Sequence, residues 1–335
     1  MLNNQDFTGN RTKYLGGSDI GAILGFSKYR SAVDVWLEKT GRITSTVNNL
    51  PVRFGSFAEE FVASEYALST GSTLVHHDEG IAHPNHSFMV GHIDRFVFDV
   101  KNQKAGNSEN PLFDREGKCT ASRLLECKTA SLFNQSEWGE LGSDEVPMAY
   151  LVQCLWYLAI TNVDKADVAV LFSNSDFRIY EVTRDHELEE LILTKAAQFW
   201  AEHVLADTAP AAQSESDYQT LFKKAVVGKA VEADPALCEM TQRLTVLSRE
   251  IKAKEMEDSK IKQTIMGQMG EAELLSYQGQ VLATWKMPKQ SYRLDGKRLE
   301  QDHPELVPQY QVPIQATRRL VIKGLTSDGL QGERA

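Results

Sequence analysis

The chain has 335 residues, 42% hydrophobic and 24% charged, and carries a net charge of −10. This is ordinary globular composition, enough for one large domain or two medium ones around a buried core. The acidic balance argues against coating nucleic acid with the whole surface, but not against a carboxylate site whose metal ions cancel local negative charge. The opening MLNNQDFTGNRTKY has no apolar stretch of the signal-peptide kind. The run YLVQCLWYLAI (150–160) contains a glutamine and is too short to span a bilayer. A soluble, cytoplasmic protein with no membrane contact is expected. Cys119, Cys127, Cys154 and Cys238 show no CxxC spacing. Neither a disulfide framework nor a zinc or iron–sulfur site is expected, and Cys127 and Cys154 should be buried.

In chain order, residues 18–40 read as two helices split by Gly25-Phe26-Ser27, with Ile20, Ile23 and Leu24, then Val33, Trp36 and Leu37, as apolar faces. A polar loop (44–49) precedes a helix over 54–69 that stops at Gly71. The period then changes to that of strands at 73–82, 87–100 and 122–129, with a polar loop over 101–118. A helix at 147–160, strands at 166–173 and 177–183 and a helix at 185–205 follow. The pattern predicts an α/β domain over 1–208 with a central mixed sheet flanked by helices. TAPAAQSESD is linker-like, and 209–335 form an accessory region: a long charged helix (235–266), a β-hairpin (273–286) turning near Gln278-Gly279, and a basic tail. That tail carries Lys286, Lys289, Arg293, Lys297, Arg298, Arg318, Arg319 and Lys323 among Trp285, Tyr292 and Tyr310. It reads as a solvated surface or as a contact for DNA or another subunit.

The stretch LLECKTAS (124–131) places Glu126 and Lys128 two apart. In a strand both point to one face while Leu125 and Cys127 point to the other. Alone, Glu-x-Lys is equally a surface ion pair. Asp94, in GHIDRF, can come beside Glu126 if 87–100 and 122–129 pair as a hairpin. Two close carboxylates repel, and burying them is costly unless a cation joins them. Oxygen ligands suit Mg²⁺ or Mn²⁺, and a lysine on the same face suits phosphodiester hydrolysis. The bland alternatives are a hairpin carboxylate at Asp94, a core amide at Gln153, a solvent-facing Glu59, a helix N-cap at Ser18-Asp19 and a mobile charge at Arg11. His76, His77, His83, His86 and His92 lack the spacing of known zinc sites.

Taken in order, these pieces resemble the PD-(D/E)xK nuclease superfamily, and more narrowly its YqaJ-like viral recombinase and lambda exonuclease branch. The most specific stretch is GGSDIGAILGFSKYRSAVDVWLEKTG (16–41), supported by FGSFAEEF (54–61), GHIDRF, LECK and VPMAYLVQCLWYL, which carries Tyr150 and Gln153. The resemblance implies a restriction-endonuclease-like core. It implies Asp94, Glu126 and the backbone carbonyl of Cys127 as ligands of Mg²⁺ (or Mn²⁺), with Glu59 holding a second metal or its water. Glu60 takes that role if the helix register differs. Lys128 would assist the nucleophilic water and Gln153 would position it. Arg11 and Ser18 match the pair that contacts a terminal 5′-phosphate. Ile93 stands where the family often has proline, and His92 where lambda exonuclease uses a serine on the phosphate. The implied activity is digestion of the 5′-ended strand of duplex DNA from its end, leaving a 3′ overhang for a single-strand annealing protein. The implied assembly is a homo-oligomer, a ring-shaped trimer around DNA. The alternatives are a structure-specific nuclease or endonuclease, or a non-catalytic DNA-binding protein, on the same fold.

Overall fold

The computed structural model describes residues 11–44, 49–99, 112–312 and 317–323. Much of the polar loop expected at 101–118, and part of that at 44–49, lies outside them. Contacts divide the chain between Leu221 and Phe222, past the linker-like stretch after residue 208.

In the first unit, a single 3₁₀ turn (Arg11–Lys13) leads to α1 (Gly17–Ile23) and α2 (Ala32–Lys39). The N-cap of α1 is Gly16. Ser18 and Asp19 lie inside the first turn, where Asp19 Oδ2 accepts a hydrogen bond from Gly16 N at 2.9 Å. Ser31 caps α2, its Oγ accepting from Asp34 N at 3.2 Å. The next helix, α3 (Leu50–Thr70), begins at Asn49 and ends at Gly71, whose φ of 70° suits the left-handed cap.

Five strands make the central mixed sheet in the order β1-β4-β5-β6-β7. They are β1 (Thr73–Val75), β4 (Arg95–Phe98), β5 (Arg123–Ala130), β6 (Lys165–Phe172) and β7 (Asp176–Thr183). The β5–β6 pair is parallel and the others antiparallel. The parallel pair needs a crossover, which α4 (Met148–Thr161) supplies. After β7, α5 (His186–Phe199) widens into π-helical turns at Trp200–Leu205, and α6 (Glu215–Leu221) returns to α2, where Ser31 Oγ donates to Asp217 Oδ1 at 2.6 Å.

The two faces of the sheet bury different residues. Val62, Ala63 and Tyr66 of α3 pack with Val97, Leu125, Cys127, Ala169 and Leu171. On the other face Phe96, Leu124, Val168 and Val170 pack with α4 and α1, around the fully buried Trp156. The strand period thus puts Leu125 and Cys127 under α3, and Glu126 with Lys128 on the α4 side. Cys119, Cys127 and Cys154 are all buried free thiols.

Two predicted strands are divided. Of 73–82, only Thr73–Val75 joins the main sheet, and β2 (Ile81–His83) pairs instead with β3 (His86–Gly91). The stretch 87–100 breaks at His92–Asp94, so Asp94 sits at a bend rather than mid-strand. There the chain passes from the small β2–β3 sheet to β4. Residues before α1 run beside β3, with Leu15 N bonding Phe88 O at 2.7 Å and Val90 N bonding Leu15 O at 2.9 Å. This carries Arg11–Ser18 to the end of β3.

The second unit contains α7 (Pro235–Met269), about 52 Å long at ~1.5 Å per residue. The hairpin of β8 (Leu274–Tyr277) and β9 (Gln280–Thr284) turns through Gln278 and Gly279, both at positive φ. Two short helices, α8 (Gly296–Asp302) and α9 (Val307–Tyr310), complete it.

Candidate active site

The register Arg95↔Leu125 between β4 and β5 carries Asp94 to the level of Glu126. Cys127 N donates to Asp94 Oδ2 at 2.7 Å, fixing that carboxylate across the gap. Glu126 is buried at 3% exposure. Its Oε1 accepts from Lys128 Nζ and from Gln153 Nε2, the latter at 2.6 Å. Its Oε2 is buried and has no hydrogen-bond partner among the described residues. Lys128 Nζ also lies 5.1 Å from the ring centre of Tyr150. So β4, β5 and α4 bring Asp94, Glu126, Lys128 and Gln153 to one place.

The electrostatics are those of too many acids for the cations present. Burial, then the nearby Glu126, pushes Asp94 up to about 8. Burial also raises Glu126, against the pull of Lys128. Lys128 would fall on burial, but Glu126 and Asp94 outweigh that and hold it above its ordinary value.

Glu59 stands apart from this group. It rides on α3, which covers the opposite face of the sheet, and its Oε1 pairs with Arg95 Nη1 at 2.9 Å. Glu60 pairs with Arg95 Nη2 at 2.6 Å but is 80% exposed. Glu59 adds to the negative fields felt at Asp94, Glu126 and Cys127. Among the described residues no three His, Cys, Asp or Glu side chains form a metal-holding group. His83 and His86 only face each other at 5.1 Å, and His92 Nε2 lies 3.0 Å from Tyr14 OH.

Arg11 and Ser18 do meet, with Arg11 Nη2 donating to Ser18 Oγ at 3.3 Å. Their link to the carboxylates runs through Tyr157, whose hydroxyl accepts from Gln153 Nε2 at 3.0 Å. Its ring lies so close to Gly17 that a Cβ there would fall 2.7 Å from Tyr157 Cε1. Glycine is required at that position by close approach, not by a turn.

Residues 6–164 match the model of the YqaJ-like viral recombinase domain. The protein is also 29% identical over 303 residues to the uncharacterized protein YqaJ of Bacillus subtilis (strain 168), covering 88% of this chain and 87% of the relative. Among solved structures it is similar to an alkaline exonuclease from Laribacter hongkongensis, with a TM-score of 0.44 and 16% identity over 59% of this chain and 90% of that one. A phage-related exonuclease from Haemophilus somnus 129PT gives a TM-score of 0.41 and 14% identity over 58% and 96%. No helix among the described residues is long and apolar enough to cross a membrane.

Within residues 6–164, Arg95, Tyr157 and a buried ionic cluster behind Arg11 are features that no sequence motif marks. In that cluster Asp19, fully buried, pairs with Lys39 Nζ at 2.8 Å and Arg30 Nη1 at 2.9 Å. Glu38 takes Arg30 Nη2 at 2.6 Å. Burial pushes Asp19 up, but Lys39 and Arg30 together hold it below its ordinary value. Of its cations only Lys39 carries a sequence signal, ending the helix whose Val35, Trp36 and Leu37 are core.

Proposed function

We propose that the protein is a divalent-cation-dependent DNA exonuclease that degrades the 5′-ended strand of duplex DNA from its end and leaves a 3′ overhang. The observation that carries this reading is the buried, unpartnered Oε2 of Glu126 beside a second carboxylate. A buried acceptor without a donor is costly, and two unneutralised acids make it costlier. A hard cation taking oxygen ligands resolves both, so the donor set fits Mg²⁺ or Mn²⁺. Asp94, Glu126 and the Cys127 carbonyl would hold it, with Glu59 reaching a second ion or its water on release from Arg95.

When bound, the metal polarises a phosphate oxygen and lowers the pKa of bound water. The chain's residues do the rest. Cys127 N fixes Asp94, and Gln153 fixes the rotation of Glu126. Lys128 places an ammonium where negative charge develops on the phosphate. Arg11 and Ser18 grip the terminal 5′-phosphate and set which end enters, the guanidinium fork suiting a phosphate. The family supports a recombination role, in which an annealing protein takes up the overhang and a ring-shaped homo-oligomer retains the duplex. A ring would let a net acidic protein stay on DNA through topology.

The test uses one duplex in three forms, 5′-phosphorylated, 5′-hydroxyl and covalently closed, with Mg²⁺ or EDTA and with Lys128→Ala in parallel. Metal-dependent loss of the phosphorylated linear strand, absent with closed DNA and with the variant, is expected. Cutting of closed DNA would replace this reading with an endonuclease, and binding without cutting would replace it with an inert module.

A further inference from the structure

The cluster behind Arg11 sets three cations, Arg11, Arg30 and Lys39, against two acids, Asp19 and Glu38. Arg30 bridges both acids with separate hydrogen bonds, at 2.9 and 2.6 Å. Lys39 is fully buried, and its Nζ makes two strong bonds, to Asp19 Oδ2 at 2.8 Å and to the backbone carbonyl of Arg11 at 2.8 Å. It also lies 5.5 Å from the centre of the Tyr14 ring.

Arg11 is treated differently from the other two. Its guanidinium is near both acids, 4.0 Å from Asp19 and 3.7 Å from Glu38, but beyond hydrogen-bond distance. Among the described residues its one side-chain hydrogen bond goes to Ser18. Its side chain is 52% exposed. The arginine is held by its main chain and steered by the field of the acids, while most of its donors stay available. Arg30 and Lys39 spend theirs on the protein. The cluster therefore presents one surplus positive charge, and presents it on the residue with unspent donors.

We propose that Lys39 is a positioning residue: it ties the main chain of Arg11 to buried Asp19, so that the surplus positive charge meets a terminal phosphate monoester with its guanidinium already placed. This rests on the reading of Arg11 and Ser18 as the 5′-phosphate grip. It goes further in making discrimination between phosphorylated and hydroxyl ends depend on a side chain that no DNA could touch.

The experiment compares initial rates on 5′-phosphorylated and 5′-hydroxyl ends of one duplex for the full chain and for Arg11→Ala, Lys39→Met and the double variant Lys39→Met/Asp19→Asn. The double variant removes a buried cation together with its acid, which avoids an uncompensated buried charge. Each variant is first checked for native melting by circular dichroism. Lys39→Met and the double variant should each lower the phosphate-to-hydroxyl ratio of kcat/KM about tenfold, with the loss mainly in KM, as removal of ground-state grip predicts. Inorganic phosphate should inhibit them at correspondingly higher concentrations. If Arg11→Ala keeps the preference for phosphorylated ends, the grip itself is misassigned. If Arg11→Ala loses it while the double variant keeps it, the grip stands and the positioning role of Lys39 is overturned.

Discussion

The first unit holds two acid pairs, Asp19 with Glu38 and Asp94 with Glu126, and the chain treats them in opposite ways. Asp19 and Glu38 face three cations, and Asp19 is held below its ordinary value by Lys39 and Arg30. Asp94 and Glu126 share one cation, Lys128, and burial drives both upward, Asp94 to about 8. Burial penalises both pairs, so the difference is stoichiometry. A cluster short of positive charge is finished by a cation, and one with positive charge to spare is finished by an anion. Side by side they are consistent with the metal and phosphate sites proposed above.

Neutralising the deficient pair should give the largest effect. Glu126→Gln removes an acid that the folded state would rather protonate, so the metal-free variant should melt no lower than the parent. Its nuclease rate should fall about 10³-fold or more, on the scale of losing a main electrostatic stabiliser. Adding Mg²⁺ or Mn²⁺ should raise the melting temperature of the parent, since a ligand bound only by the native state stabilises it, and should leave that of Glu126→Gln unchanged. A variant that melts much lower, or gains equally from metal, would remove the contrast between the clusters.

The cation-rich cluster should respond in the opposite sense. Asp19→Asn leaves Lys39 and Arg30 facing one acid fewer in a dry site and should cost about 3 kcal/mol by urea denaturation. The pH dependence follows from the lowered value of Asp19. A carboxylate lowered in the folded state contributes stability above its unfolded value of about 3.9, and that share is lost as pH falls through the folded value. Below about pH 4 the parent should therefore lose stability more steeply than Asp19→Asn. Parallel slopes would mean that Asp19 is not held as the geometry implies.

The fold was legible wherever one period or one cap governed. Apolar spacing placed α3 and α4, Gly71 ended α3, and the alternation in LLECKTAS separated Glu126 and Lys128 from Leu125 and Cys127. The accessory hairpin was visible at Gln278-Gly279, where both residues take positive φ. The break at His92–Asp94 was not legible, because β-branched and aromatic residues run through it and only pairing partners distinguish the two halves. Asp94 reached Glu126 all the same, since the register of β4 on β5 depends on the second half alone. The Asp19 cluster was hidden for another reason. Ser-Asp before an apolar run is the usual mark of a helix start, and nothing local shows that Arg30 and Lys39 come back to that aspartate through α2. Glu59 was located on its helix, but its ion pair with Arg95 depends on the opposite face of the sheet.

The smallest expected effect separates Glu59 from Glu60, which the helix register alone left open. Both bind Arg95, at 2.9 and 2.6 Å, so by distance Glu60 is the stronger partner. Exposure reverses that ranking. Glu60 is 80% exposed and its pair is screened by water, so Glu60→Gln should change stability by well under ~1 kcal/mol and leave the metal requirement as it was. Glu59 is 33% exposed and adds to the negative field at Asp94 and Glu126. Glu59→Gln should therefore raise the Mg²⁺ concentration needed for half-maximal activity several-fold, because one of the charges that attracts the cation is gone. A metal titration of the two variants against the parent settles the order. An equal shift in both would mean that the acids act together through Arg95, and a larger shift for Glu60→Gln would move the second acid one residue along α3.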